Sequence, residues 1–266
     1  MNALECLLAT SIPFDVANEA ELARVAERRP RLAILPLAYA LPDIAVEQLL
    51  RIAEDGACVY LSGDPSITPG GQRDPARLER LPGVRFEREI ITSAGLPAAE
   101  CTAVEATPVE NANGIPAFRR AVGNGSIIWT PDPWESFPQR DLFVGEPELT
   151  TSPDTNFYLM LPNLAGLEPP ARIEASQGVW RVIATPCGDN HLVAIFPRTP
   201  VGQPTVVKVT AFGHTFEFGT QPFAGETLPA IVVLHDGVPI AATGTDYLDI
   251  DSRRVAQAPG PWCTGL

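Results

Sequence analysis

Basic side chains are scarce in this chain of 266 residues: 19 lysines and arginines stand against 32 aspartates and glutamates, a formal net charge of −13. Lys208 is the single lysine. Binding nucleic acid needs a basic face to neutralise phosphates, and an anionic membrane surface needs the same, so both partner classes are excluded. No apolar run approaches the roughly 20 residues of a bilayer span. The opening MNALECLLATSIPF lacks the basic start and small-residue cleavage site of a secretory signal, which predicts a cytoplasmic protein. Cysteines 6, 58, 101, 187 and 263 are odd in number and widely spaced, as free thiols of a reducing compartment are. The histidines 191, 214 and 235 have no zinc-type spacing, so neither a metal nor a cofactor is expected.

Hydrophobic residues make up 45% of the chain, enough for one large core or two ordinary ones. The stretch from Arg31 to Pro65, RLAILPLAYALPDIAVEQLLRIAEDGACVYLSGDP, reads as strand, helix and parallel strand. An apolar run over Leu32 to Leu37 is followed by an amphipathic stretch with Ile44, Leu49, Leu50 and Ile52 on one side. Asp55-Gly56 stops it, and a second apolar run covers Ala57 to Leu61. Two buried strands flanking one helix in about 30 residues form a right-handed crossover unit. The tail Ser62-Gly63-Asp64 then falls at a strand's carboxyl end, where open α/β folds bind ligands.

Upstream, Ile12 to Ala17 reads as a short strand, and Asn18 is placed to cap a helix through Glu21, Leu22, Val25 and Arg28. Downstream, Asp74-Pro75 starts another helix, Val84 to Ile91 alternates as a strand does, and Cys101 to Thr107 has strand character. Gly123-Asn124-Gly125 joins Ala117 to Val122 with Ser126 to Thr130 as a hairpin. A helix with Pro162 inside it follows from Ser152-Pro153-Asp154 and closes at Gly166. From Ala171 the texture changes to short strands separated by turn residues, with Asp236-Gly237 as a hairpin signal. The predicted fold is a doubly wound α/β domain of the flavodoxin or amidotransferase type over residues 1–169, then a small antiparallel β-sandwich over 170–266. Charge divides likewise: the first part carries 13 basic and 24 acidic residues, the second 6 and 8. A doubly wound sheet normally opens with a central strand, and none precedes Ile12, so the reading frame is expected to begin inside a domain.

The run from Ile12 to Ser66, the ending GNGSIIWTPDPWE (123–135) and the later NLAGLEPP (163–170) resemble the amidotransferase-like domain behind the catalytic barrel in β-galactosidase-type glycoside hydrolases of family 42. The resemblance implies a domain that packs between barrels in a trimer, followed by a small β-sandwich. It also implies that the catalytic glutamates belong to a (β/α)8 barrel, which residues 1–266 do not contain.

Candidate sites are few. Ser62 and Asp64 lie near where amidotransferases carry a nucleophilic elbow, but flanking glycines in register and a histidine are missing from residues 1–169, which favours a structural turn. Asp132 and Glu135 beside Trp129 and Trp134 combine carboxylates with aromatic faces, as a surface toward a sugar or a barrel does; a turn after the last hairpin strand accounts for them more simply. The expected function is a non-catalytic accessory or oligomerisation portion of a glycoside hydrolase, partnered by a catalytic barrel or by its own copies. The alternatives are a stand-alone oligosaccharide-binding or protein-interaction module on the Trp129, Trp134 and Glu135 surface, and an amidase or esterase on Ser62.

Overall fold

The structure is a computed structural model; it describes residues 12, 14–92, 95–109, 116–133, 135, 153–168, 171–178, 180–197, 202–220, 222–223, 226–227 and 229–257, with Ala3 and Leu7. The chain divides into two compact units, built on Asp15–Leu167 and on Glu168–Leu266, the second also taking in Leu7–Phe14. Strand predominates over helix, in several sheets. Among the described residues no helix is long and apolar enough to cross a membrane.

The first unit begins with Asn18. Its side chain accepts from Ala20 N at 3.0 Å and its own N–H donates to Glu21 at 3.1 Å, a capping box that opens the turn Glu19–Glu21 and helix α1 (Leu22–Glu27). Then come β1 (Leu32–Leu35), α2 (Asp43–Glu54) and β2 (Cys58–Ser62), with β1 and β2 parallel from Leu32 opposite Cys58 to Leu35 opposite Leu61. The crossover unit is therefore present. Its helix buries Ala45, Val46, Leu49, Ile52 and Ala53, a stripe at helical spacing, against Val59 and Leu61 of β2. Ile44, expected on that stripe, is 62% exposed, because it lies at the first turn on the far side from Val46 and Leu49.

After α3 (Ala76–Arg80), β3 (Val84–Ile91) and β4 (Pro97–Ala103) pair with each other as a separate antiparallel hairpin. β5 (Thr107–Val109), β6 (Ala117–Val122) and β7 (Gly125–Thr130) complete the main sheet, in the order β1-β2-β7-β6-β5, with β7 parallel to β2 and β6 antiparallel to both of its neighbours. Val84 to Ile91 is the strand expected; it stays out of the main sheet, since it is exposed along most of its length and β4 satisfies its backbone. Two expectations are corrected here. The strand read over Cys101 to Thr107 is two strands, β4 ending at Ala103 and β5 starting at Thr107. Residues 12 and 14–17 form no strand: Val16 is 78% exposed, Asp15 pairs with Arg28 at 2.7 Å, and β1 is the edge of the sheet.

The β6–β7 hairpin shows why its tip is glycine. Asn124 N donates to Glu54 O at 3.1 Å, tucking the turn under the end of α2, and a Cβ on Gly125 would stand 2.1 Å from Ala57 O. Helix α4 (Pro153–Leu164) runs through Pro162 and stops where Gly166, at φ +62°, lets Leu167 N reach Pro162 O at 2.7 Å and Gly166 N reach Asn163 O at 3.0 Å.

The second unit has β8 (Ala171–Ala175), β9 (Trp180–Cys187), β10 (Asn190–Pro197), β11 (Thr205–Ala211), β12 (His214–Thr220), the short pair β13 (Pro222–Phe223) and β14 (Glu226–Thr227), β15 (Ala230–His235), β16 (Val238–Thr243), β17 (Tyr247–Ile250) and β18 (Arg253–Gln257). Two antiparallel sheets, β16-β15-β10-β9 and β18-β17-β12-β11-β8, share one core in which Val182, Val193, Ile195 and Leu234 meet Val207, Val209, Phe216, Phe218 and Leu248. Asp236 and Gly237 both have positive φ, as a two-residue hairpin of this hand requires.

Candidate functional site

The carboxyl ends of β2 and β7 bring together four of the six residues singled out in the sequence, Ser62, Asp64, Trp129 and Glu135; Asp132 lies on the loop between, and Trp134 lies outside the described residues. Residues 61–66 are all buried. The Trp129 indole N–H donates to Gly63 O at 2.7 Å, its ring lies 5.8 Å from that of Phe118, and its side chain is fully buried. Gly63 N donates to Thr130 O at 3.0 Å, and the Ser62 hydroxyl accepts from Leu37 N at 3.0 Å. The strand end is thus tied back into its own backbone.

Asp64 is fully buried and paired with a cation. Its Oδ1 accepts from Ser66 N at 3.0 Å and from the Ser66 hydroxyl at 2.5 Å, and its Oδ2 pairs with Arg73. Arg73 also donates to Glu89 at 2.8 Å and lies over the Phe86 ring at 4.7 Å, so the cation is held from several sides. Tyr39 roofs the turn: its hydroxyl donates to Pro97 O at 2.8 Å and its ring fills the space a Cβ on Gly63 would need. Burial, then the carboxylates of Asp64, Asp132 and Glu135, push its phenol up.

Glu135 is 4% exposed. The Tyr60 hydroxyl, from β2, and the Tyr158 hydroxyl, from α4, both donate to its Oε1, at 2.8 and 3.0 Å. Thr130 Oγ1 lies 3.1 Å from the Tyr60 hydroxyl, and the rings of Phe157 and Tyr158 pack 5.3 and 5.8 Å from that of Tyr60. Burial drives the carboxyl pKa of Glu135 upward, and hydrogen bonds from Ser62, from its own backbone and from the two tyrosines oppose this only in part. Burial also raises the carboxyl of Asp132.

This set offers no reacting pair. Acyl transfer needs a nucleophile within reach of a base, and residues 1–169 contain no histidine. Cys58, one strand turn away, is buried, and burial pushes its thiol up, away from reactivity. The arrangement is suited to holding elements together. Tyr60, Tyr158, Tyr39 and Arg73 were not singled out in the sequence. Tyr60, a lone hydroxyl inside an apolar strand, carried a signal; Arg73, in a Gly- and Pro-rich loop, carried none.

The second unit gathers all three histidines at one end. His191 lies 4.2 Å from the Phe212 ring, His214 Nδ1 is 2.8 Å from Asp251, and His235 Nδ1 is 2.9 Å from Asn190. Among the described residues no group of three histidines, cysteines or carboxylates is arranged to hold a metal ion.

No protein-family model matches the sequence, and no curated protein matches it significantly. Solved structures do match in fold. A family 42 β-galactosidase, Gan42B from G. stearothermophilus, superposes with a TM-score of 0.60 at 13% identity, over 87% of this chain and 35% of that one. The cold-adapted β-galactosidase of Rahnella sp. R3 gives a TM-score of 0.52 at 12% identity, over 94% of this chain and 36% of that one. The chain spans about a third of the length of these enzymes, and the likeness is one of fold.

Proposed function

We propose that this chain is a non-catalytic, supporting part of a β-galactosidase-like glycoside hydrolase: an amidotransferase-like, doubly wound α/β domain that has lost its nucleophile, followed by a β-sandwich. Its work is to hold a catalytic (β/α)8 barrel, or further copies of the chain, in an oligomer such as a trimer, within the cytoplasm. The observation that carries this reading is the state of the β2 and β7 ends. Where a related fold would open a ligand crevice, Ser62, Gly63, Asp64 and Trp129 are buried and bonded to one another or to nearby backbone. The fold likeness to about a third of each β-galactosidase chain supports the same reading. A stand-alone sugar-binding module on Trp129 and Glu135 has less support, because neither offers an exposed face for stacking or hydrogen bonding.

The purified chain is expected to show no turnover of nitrophenyl β-galactosides. Turnover that co-purifies with the chain through a second affinity step and disappears on Glu135→Gln would overturn the proposal.

A further inference from the structure

Glu135 stands where three elements meet: β2 through Tyr60, the end of β7 through Thr130 and the turn after it, and α4 through Tyr158. Both phenols donate to one oxygen, Oε1, while Oε2 is buried and makes no well-formed hydrogen bond among the described residues. Among the described residues no cation pairs with the group. Tyr60 and Ser62 reach it from β2 and Tyr158 from α4, while Tyr39, on the turn after β1, feels its charge together with those of Asp64 and Asp132. Arg73, the cation of this neighbourhood, is committed to Asp64 and Glu89, and Arg119 donates to Leu164 O at the end of α4.

A charged carboxylate in this position would hold its full charge away from water with no described cation beside it, and with Oε2 in no well-formed hydrogen bond. The neutral acid fits better. Its carbonyl oxygen has two lone pairs, which the two phenol donors at Oε1 fill, and Oε2 then carries a proton. We propose that Glu135 is a proton-dependent latch: as the neutral acid it ties α4 to the ends of the parallel strands, and loss of the proton to solvent frees α4. This goes beyond the supporting role and does not depend on it.

The sign follows from burial. Because the folded state holds the proton more tightly than the unfolded chain, the latch contributes its full stability below the ordinary glutamate range and loses it as pH rises through the elevated value. Two measurements test the latch. In carbon-13 NMR of the full chain, the Glu135 carboxyl, assigned by difference from Glu135→Gln, is expected to titrate above the ordinary glutamate range. In hydrogen exchange, the α4 amides of residues 157–161, corrected for intrinsic rates, are expected to lose about tenfold protection per pH unit between the ordinary glutamate range and that titration, and to level off above it. Glu135→Gln keeps an acceptor and cannot ionise, so its α4 protection is expected to stay flat with pH. Tyr158→Phe is expected to loosen α4 at every pH while keeping the pH step. An ordinary carboxyl titration, or equal pH dependence in the wild type and Glu135→Gln, overturns the proposal. Should Glu135→Gln fail to fold, the α4 exchange profiles of the wild type and Tyr158→Phe still decide: a wild type with no pH step overturns the proposal.

Discussion

Gly63 shows how one residue closes the strand end. At φ +90° it sits where L side chains are rarely found, and a Cβ there would stand 2.7 Å from Tyr39 Cε2. The ring cannot swing clear cheaply, because its hydroxyl is anchored on Pro97 O at 2.8 Å. Gly63→Ala is therefore expected to cost about 2 kcal/mol, from backbone strain and the ring clash together. Urea unfolding checks this, and a loss under 0.5 kcal/mol would show that the roof yields. The neighbouring Asp64 illustrates a different kind of legibility. An aspartate two residues before a serine reads as a turn, and it does accept from Ser66 N at 3.0 Å, but its pairing with Arg73 is not visible in that pattern.

At the scale of elements, local chemistry predicted most of what forms. The β1-α2-β2 unit, the capping box at Asn18, the Gly123-Asn124 and Asp236-Gly237 hairpins and the Gly166 stop all depend on contacts within a few residues, and all are present. Ile12 to Ala17 has the pattern of a strand, yet its described residues, 12 and 14–17, form none, because pattern alone does not supply a ladder and β1 is the edge of the sheet. β8, β17 and β18 show the converse: they are short and carry charges, and cross-strand pairing makes them strands. The β6–β7 hairpin offers a test of how an element seats on its neighbours. Gly125→Ala would drive a Cβ to within 2.4 Å of the carbonyl oxygens of both Ala53 and Ala57, backbone that cannot rotate away. It is expected to destabilise by about 3 kcal/mol. Gly70→Ala, whose Cβ would meet nothing nearer than 3.8 Å, is expected to change thermal stability little.

For the whole molecule, thiol chemistry reads out burial. Cys187 is exposed and Cys58 buried, with its thiol pushed up by burial, while desolvation and the nearby Asp64 push half-buried Cys101 up to about 12. Peptide-level maleimide labelling of the folded chain is expected to modify Cys187 within minutes and Cys58 only on unfolding. Equal rates would show that the β2 core opens freely. The sequence by itself determined the acidic charge balance, the positions of most helices and hairpins and the change of texture near residue 170, because these follow from residue counts and short-range backbone preferences. Only the tertiary structure decided that Glu135 meets Tyr60 and Tyr158, that Arg73 answers Asp64, that β3 leaves the main sheet and that three histidines distant in sequence share one end of the sandwich. Those pairings join residues that no local pattern connects, and they form because packing two layers of secondary structure brings their ends together and a buried polar group must find a partner.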